Sequence, residues 1–174
     1  MKKFKVFALC VACALCFTMA PNLAFHAETA ETEPLTDYSK GVMIYTGTAS
    51  MIRLSYASLT DGASVYVDDS VRYRSQWAKI NEGNGFVSIR PVTCLDMALT
   101  VANDSPNNTA PIQLSYYTGE RSQLFKLESA GGYLYKITTK SSNNSKCIEV
   151  SDTTPVNGSL IRQYTYSGAD RQKW

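Results

Sequence analysis

Short runs in which apolar and polar residues alternate dominate the chain from about residue 42 onward. Residues 133–137 and 161–166 alternate in this way, and clusters rich in Asn, Gly, Asp and Pro, such as 81–85 and 105–108, separate the runs. A period of two residues predicts β-strands with one buried face, and no long segment shows the 3.6-residue period of a helix. The pattern therefore predicts an all-β domain built of many short strands.

The strand pattern recurs along the chain. Ile112 and Ile161 each begin a strand, and the separation from Ile112 to Phe125 equals that from Ile161 to Trp174. A shorter version of the same pattern ends at Trp77. This recurrence predicts three units, each with about four short strands, at about residues 42–84, 85–131 and 132–174.

A unit of four short strands is too small to bury a core of its own, so the three units must share one. Arranged about a common axis they form a β-trefoil, which we predict for residues 41–174 in preference to a β-sandwich. Trp77, Phe125 and Trp174 are then expected to face into the shared core at equivalent positions.

The N-terminal residues have the features of a secretory signal peptide. Three lysines within residues 2–5 precede an apolar run over 7–19, which Pro21 interrupts. Such a segment is removed on export, and we expect cleavage near Ala27. Residues 28–40 are acidic, contain Thr and Pro and show no periodicity, so we expect a flexible leader. The chain is thus expected to be secreted.

Removal of residues 1–27 changes the charge. The sequence has 17 basic and 15 acidic residues and one histidine, but three of the lysines and His26 lie in the signal peptide. The 147 remaining residues carry 14 basic and 15 acidic side chains, a net charge of −1. A mixed surface of this kind gives no basic patch for nucleic acid. We also expect no membrane span in the mature form.

The mature sequence argues against catalysis. Without a histidine, nucleophile–histidine mechanisms and the usual zinc sites are excluded. Asp68 and Asp69 are adjacent, so on a strand they point to opposite faces and cannot act as a facing acid and base. We therefore expect no enzymatic activity, no metal and no cofactor.

Two units share short motifs in the same order. The second has Cys94-Leu-Asp-Met and Gln123-Leu-Phe, and the third has Cys147-Ile-Glu-Val and Gln172-Lys-Trp. In this alignment the units differ in length only in the Asn- and Pro-rich loop at 102–111. The motifs resemble those of the ricin B-type lectin domain, or Gln-x-Trp repeat family, over about residues 42–174. The third unit resembles the version common in secreted bacterial carbohydrate-binding modules, which implies a bacterial source. The resemblance implies a β-trefoil with up to three shallow sugar pockets, one in each repeat.

The resemblance implies the best-preserved pocket in the third repeat. An acid and an amide would bond sugar hydroxyls, and an aromatic ring would cover the apolar face of the sugar. The residues implied are Glu149, Arg162, Tyr164, Asp170 and Gln172, with Tyr164 as the platform and Arg171 beside them. The alternative is that Tyr164 and Tyr166 are only strand residues that face solvent and core.

The other two repeats match the pattern less well. The second offers Asp96, Gln113 and Gln123, but Ser115 stands where an aromatic residue is expected. In the first, Arg53 stands at the acid position and Asp68 at the aromatic one. We therefore expect a weaker site in the second repeat and a purely structural first repeat.

Cys94 and Cys147 begin equivalent strands in this alignment. In disulfide-bearing relatives the partner of each cysteine lies at the positions held here by Tyr117 and Tyr166. The resemblance therefore implies no disulfide, and we expect two buried free thiols.

The sequence stops at Trp174, whereas residues 78–80 and 126–127 follow the first two motifs as a last strand. Either the natural chain continues, or residues 42–45 close the core alone. We favour the first, because an open edge beside a buried Trp is a liability.

The leading hypothesis is a secreted, non-catalytic carbohydrate-binding module for galactose-like or other glycans. Its alternative is a degenerate trefoil that binds protein, as an interaction domain or toxin-accessory subunit. A third reading is the binding module of a larger enzyme.

Overall fold

The computed structural model describes residues 41–47, 52–70 and 73–174. The predicted signal peptide (1–27) and leader (28–40) lie outside the described residues. Within the described part the regular elements are strands and single 3-10 turns, without an α-helix, so the all-β prediction is confirmed. The strands are β1 (Arg53–Tyr56), β2 (Ala63–Asp68), β3 (Trp77–Asn81), β4 (Val87–Pro91), β5 (Met97–Val101), β6 (Ile112–Tyr116), β7 (Phe125–Gly131), β8 (Leu134–Thr139), β9 (Lys146–Val150) and β10 (Ile161–Thr165). The 3-10 turns are Tyr73–Ser75, Ala102–Asp104, Arg121–Gln123, Lys140–Ser142 and Asp170–Gln172.

The strands form two antiparallel sheets. One has the order β1-β2-β6-β5 and the other β10-β9-β8-β7-β4-β3. Three two-stranded hairpins recur: β1 with β2, β5 with β6, and β9 with β10. In the first of them, the turn places Gly62 at φ +76°, a backbone conformation that glycine adopts without strain. One hairpin for each predicted unit is the arrangement that the recurrence in the sequence indicates.

The three hairpins contact one another in a closed ring. Each contact includes a strand bridge between residues at the same two positions of neighbouring hairpins, and between β2 and β6 a second pair, Ala63 with Leu114, extends it. The bridges join Ser64 with Gln113, Pro111 with Arg162, and Leu160 with Tyr66. Because the third bridge returns to the first hairpin, the three units are related by a pseudo-three-fold axis.

The large aromatic residue that ends each motif is buried at an equivalent place. Trp77, Phe125 and Trp174 all belong to one core cluster, and a 3-10 turn precedes each of them. The indole N–H of Trp77 donates to the Leu54 carbonyl at 3.0 Å, and that of Trp174 donates to the Ile148 carbonyl at 3.2 Å. The expected three-fold core is therefore present.

The hairpin register corrects the alignment made from the sequence. Glu149 lies opposite Arg162, and the residues in the same place of the other hairpins are Thr100, opposite Gln113, and Ser55, opposite Tyr66. The acid positions assigned to Asp96 and Arg53 were therefore wrong, by four and by two residues.

The loop at 102–111 contains no insertion, contrary to the sequence-based alignment. Ala98 takes the place of Cys147, and Ala98 to Ile112 is as long as Cys147 to Ile161. The alignment matched Cys94-Leu-Asp-Met to Cys147-Ile-Glu-Val because their residue types are alike. The equal spacing from Ala98 to Ile112 and from Cys147 to Ile161 gives the register that the structure shows.

Both described cysteines are free, as expected. Cys147 is buried, but Cys94 is only half-buried, which differs from the expectation of two buried thiols. Burial raises the pKa of the Cys147 thiol to about 12, with a further contribution from the nearby Glu149 charge. Cys94 lies outside the hairpin ladder because the strand begins at Met97.

The described residues include no helix that is long and apolar enough to cross a membrane.

Candidate functional site

The hairpin of the third repeat, formed by β9 and β10, carries a buried acid, Glu149. Glu149 on β9 faces Arg162 on β10 as a directly opposed cross-strand pair. The Glu149 side chain is fully buried, and its Oε1 accepts hydrogen bonds from Nε of Arg162 at 2.8 Å and lies 2.8 Å from Nη2. The Arg162 side chain is 27% exposed, so the guanidinium that binds the buried carboxylate belongs to a side chain that solvent still reaches.

The other oxygen of Glu149 is also occupied. Oε2 accepts a hydrogen bond from Nε2 of Gln172 at 2.8 Å, and Nε of Arg171 lies 3.3 Å away. The Arg171 contact is an ion pair without hydrogen-bond geometry, since that Nε finds no acceptor. Glu149 was predicted to accept hydrogen bonds from a ligand; the structure shows that its carboxylate already holds two arginines and an amide.

Tyr164 lies two residues beyond Arg162 on β10 and therefore on the same face of the strand. The guanidinium carbon of Arg162 is 5.0 Å from the centroid of the tyrosine ring, a cation–π distance. Glu149, Arg162 and Tyr164 thus form one connected row, with the acid innermost and the ring half-buried at the surface. The structure therefore brings these three predicted site residues together, and their role in binding sugar stays a prediction.

Gln172 has an internal role. Its Oε1 accepts from the N–H of Ser167 at 2.7 Å and from the Ser167 hydroxyl at 3.1 Å, while Nε2 donates to Glu149 and to the Thr165 carbonyl. Both amide hydrogens are used, and the side chain is fully buried. Gln172 therefore fixes the loop between β10 and its 3-10 turn and leaves no donor for a ligand.

Gln123 does the same in the second repeat. Its Oε1 accepts from the Thr118 N–H, the Thr118 hydroxyl and the Gly119 N–H, and its Nε2 donates to the Thr100 hydroxyl and the Tyr116 carbonyl. The two glutamines had been predicted to contact sugar; their matching internal bonds instead explain why a Gln precedes the core aromatic by two residues.

Asp170 lies at the rim of the site. It is 70% exposed, and its carboxylate pairs with Nζ of Lys173 at 2.9 Å. Because this pair is neutral, the charge of the site is set by two arginines and one glutamate, Glu149. The site therefore carries one more positive than negative charge.

The second repeat lacks both an inner acid and a platform. Thr100 stands in the place of Glu149, and Gln113, opposite it, donates to the Ser115 hydroxyl at 3.0 Å. Asp96 is exposed, and its carbonyl accepts the Tyr117 N–H. That places Asp96 four residues along the ladder from Thr100, roughly 13 Å away. Asp96 therefore does not join Gln113 and Gln123 in one pocket.

The first repeat has no ring at the Tyr164 position and no carboxylate at the Glu149 position. Ser55 takes the place of Glu149 and donates to the Arg74 carbonyl at 3.2 Å. Asp68 takes the place of Tyr164 and accepts hydrogen bonds from Ser70. Arg53 is buried and donates to the Asp69 carbonyl at 2.6 Å, so it serves the structure of the hairpin. Among all described residues there is no cluster of three or more side chains able to hold a metal ion.

No protein-family model matches the sequence, and no curated protein matches it. Several solved structures, however, match this chain. A designed three-fold symmetric protein, ThreeFoil, shares 27% identity over 76% of this chain and 93% of its own, with a TM-score of 0.69. The Rhizoctonia solani agglutinin shares 13% identity over 77% of this chain and 92% of its own, with a TM-score of 0.65. The fold is the β-trefoil of the ricin B-type lectins.

A third trefoil match lies within a larger protein. The exo-β-1,3-galactanase 1,3Gal43A of Clostridium thermocellum shares 23% identity with this chain and has a TM-score of 0.68. The match covers 76% of this chain but only 28% of the galactanase. A β-trefoil of this type therefore occurs both as nearly a whole protein and as a small part of a longer one.

Proposed function

We propose that this chain is a secreted, non-catalytic carbohydrate-binding module whose sugar site lies in the third repeat. The trefoil fold, shared with structures named as agglutinins, supports the proposal. Secretion rests on the signal-peptide pattern of residues 1–27. The absence of a histidine from residues 28–174 supports a binding role over a catalytic one.

The observation that carries the proposal is the row formed by Glu149, Arg162 and Tyr164. A half-buried tyrosine ring offers an apolar face for the C–H side of a pyranose. Beside it, Arg162 binds Glu149 through its Nε–H and through Nη2, and no described residue accepts a hydrogen bond from its Nη1. The remaining N–H donors are held in a fixed orientation, which lowers the entropy lost on binding.

The charge of the site favours an acidic sugar. A neutral sugar offers hydroxyl oxygens to Arg162, but a carboxylate offers two acceptors in the geometry of a guanidinium edge. The excess positive charge at this site contributes to the same preference. We therefore assign the ligand class as a glycan that bears a carboxylated sugar, bound more weakly as salt rises.

Affinity for a single sugar is expected to be low, because the site is shallow and holds one ring. Loss of about 50 Å² of apolar contact at Tyr164 corresponds to about 1.3 kcal/mol, roughly a tenfold change in Kd. Useful binding to a cell surface or a polysaccharide would then come from several copies or from a tethered partner.

The test is a glycan array probed with residues 28–174 and with two variants. Tyr164→Ala is expected to lose binding, while Tyr133→Ala, which removes a tyrosine that is 98% exposed elsewhere, is expected to keep it. Carboxylated glycans should give stronger signals than their neutral counterparts. A blank array for the unmodified chain, or equal signals for both variants, contradicts the proposal.

A second candidate function is supported by the poor match of the first two repeats. The equivalents of Glu149 and Tyr164 are Thr100 and Ser115 in one repeat, and Ser55 and Asp68 in the other. A trefoil with so few sugar-binding groups is also suited to bind protein, as an interaction domain or toxin-accessory subunit. A blank array together with a co-purifying protein partner would favour this candidate.

A further inference from the structure

Two asparagines in the described part of the chain are each followed by a glycine, in the pairs Asn84-Gly85 and Asn157-Gly158. Asparagine is chemically labile, because the backbone nitrogen of the next residue can attack its side-chain amide. Glycine after the asparagine hinders this attack least, since it has no side chain. Both pairs are exposed and identical in sequence, so any difference between them must come from the structure.

The first pair lies in the loop that joins β3 to β4. Two backbone hydrogen bonds close this loop: the Glu82 N–H donates to the Phe86 carbonyl at 2.9 Å, and the Phe86 N–H donates to the Gly83 carbonyl at 2.8 Å. Neither bond involves Asn84 or Gly85. Among the described residues, none accepts a hydrogen bond from the Gly85 N–H, and none pairs with the Asn84 side chain. The attacking nitrogen and the amide it would attack are therefore both free.

The tip of this loop has room to rearrange. Gly83, Asn84 and Gly85 have φ values of +81°, +52° and +76°. A Cβ built on Gly83 would have no heavy atom within 4 Å, and one on Gly85 would meet only Cε of Lys126, at 3.9 Å. A glycine on each side of Asn84 leaves the backbone free to change conformation. Ring closure at Asn84 is thus unhindered, and water reaches the tip.

Both ends of the loop are anchored to the rest of the protein. Glu82 pairs with Arg90 at 2.7 Å. At the other end, the Nζ atoms of Lys126 and Lys140 lie 4.5 and 4.8 Å from the centroid of the Phe86 ring. The tip can therefore react while the ends of the loop stay in place. The two ammonium groups also favour a negative charge at the tip.

The second pair is held by hydrogen bonds to the end of β2. The Gly158 N–H donates to the Val67 carbonyl at 2.8 Å, and Oδ1 of Asn157 accepts from the Asp69 N–H at 2.9 Å. The Val67 N–H in turn donates to the Ser159 carbonyl at 3.0 Å. The Gly158 nitrogen can attack only after this contact opens, and the free energy of local opening slows the reaction.

We propose that Asn84 is a site of spontaneous deamidation in the folded protein, and that its hydrogen bonds to β2 protect Asn157. The Gly85 nitrogen loses its proton to hydroxide, forms a bond to Cγ of Asn84 and displaces the side-chain nitrogen as ammonia. Water then opens the cyclic imide at either carbonyl, which leaves aspartate or isoaspartate. No oxidant or reductant takes part. The reaction changes the net charge of residues 28–174 from −1 to −2.

Incubation of residues 28–174 at mildly alkaline pH, followed by peptide mapping with mass spectrometry, measures the rate at each asparagine. In the native chain we expect Asn84 to react at least tenfold faster than Asn157. In urea, where the contact with β2 is lost, the two rates should agree within about threefold. Equal rates in the native chain, or a native chain that stays intact at Asn84 while the unfolded chain reacts, would overturn the proposal.

The products test the chemistry. In ¹⁸O-labelled water each product should carry one labelled oxygen, and aspartate and isoaspartate should both form. Aspartate alone would indicate direct hydrolysis of the side-chain amide and contradict the imide route. The matched variant Asn84→Gln, in which the longer side chain would need a larger ring, should lose the fast reaction and keep the slow one at Asn157.

Amide hydrogen exchange of the unmodified chain tests the cause of the protection. The Gly158 amide should exchange at least tenfold more slowly than the Gly85 amide, because only the former has an acceptor. If the two amides exchange at the same rate while Asn157 stays intact, the bond to Val67 does not protect it and the proposal fails. None of these experiments uses a glycan, so their outcome is independent of the proposed sugar site.

Discussion

The pairing of Glu149 with Arg162 gives a quantitative prediction, because the second repeat shows what an uncharged version of the same site looks like. There Thr100 and Gln113 face each other, and the Thr100 hydroxyl accepts from Gln123 at 3.1 Å. Replacing Glu149 by Thr and Arg162 by Gln therefore converts the third repeat to an arrangement that this fold already accommodates.

Each single change should be costly. Glu149→Thr leaves the guanidinium of Arg162 without the carboxylate, and Arg162→Gln leaves a fully buried carboxylate with half of its partners. Breaking a buried pair costs 3–5 kcal/mol in general. Since Arg162 is partly exposed, we expect about 2–4 kcal/mol for Glu149→Thr and about 2–3 kcal/mol for Arg162→Gln.

The double variant should cost far less than the sum, about 1–2 kcal/mol, which is a coupling of about 4 kcal/mol. Urea unfolding at pH 7, followed by tryptophan fluorescence, measures the free energy of unfolding of the unmodified chain, the two single variants and the double variant. The four m-values should be equal, so that the free energies can be compared. Additivity within about 0.5 kcal/mol would refute the claim that the two side chains form one buried unit. The double variant should fold and fail to bind a carboxylated glycan.

Two further predictions concern other titratable groups. Burial raises the pKa of the Glu82 carboxyl, but hydrogen bonds from Ser88, Arg90 and Tyr117 outweigh it, so the pKa lies below its ordinary value. Its stabilisation is present above the ordinary pKa and is lost as pH falls through the lowered one. Glu82→Gln should thus cost about 1–3 kcal/mol at pH 7, and the cost should shrink as the pH falls below the ordinary range of a glutamate carboxyl, measured by denaturation across that range. The Cys147 thiol, whose pKa burial raises to about 12, should resist alkylation in the native Cys94→Ser variant and react on unfolding, as followed by mass spectrometry; fast native labelling would contradict its burial.

The sequence predicted the fold well because the fold depends on spacing. The equal separations from Ile112 to Phe125 and from Ile161 to Trp174 predict the three-fold arrangement. The burial of the large aromatic residue at the end of each repeat follows from its size and position, without knowing which residues it packs against. Turn residues such as Gly62 marked where the hairpins reverse.

The site was harder to predict, for physical reasons. The identity of Cys94-Leu-Asp-Met to a known motif outweighed the ungapped spacing from Ala98, so Thr100 was missed as the equivalent of Glu149. The sequence also gave no sign that Arg162 would neutralise Glu149, because the two are 13 residues apart and meet only through the β9–β10 register. The internal hydrogen bonds of Gln172 likewise depend on a loop conformation that residue types alone do not specify.

The central claim is that sugar binds at the third repeat, and a ¹⁵N NMR titration of residues 28–174 tests it most directly. The glycan would be the carboxylated one that gives the strongest array signal. We predict chemical-shift changes at Arg162, Tyr164 and Asp170, with none around Ser115 or Asp68. Changes centred on another repeat, or unchanged binding by Tyr164→Ala, would contradict the account.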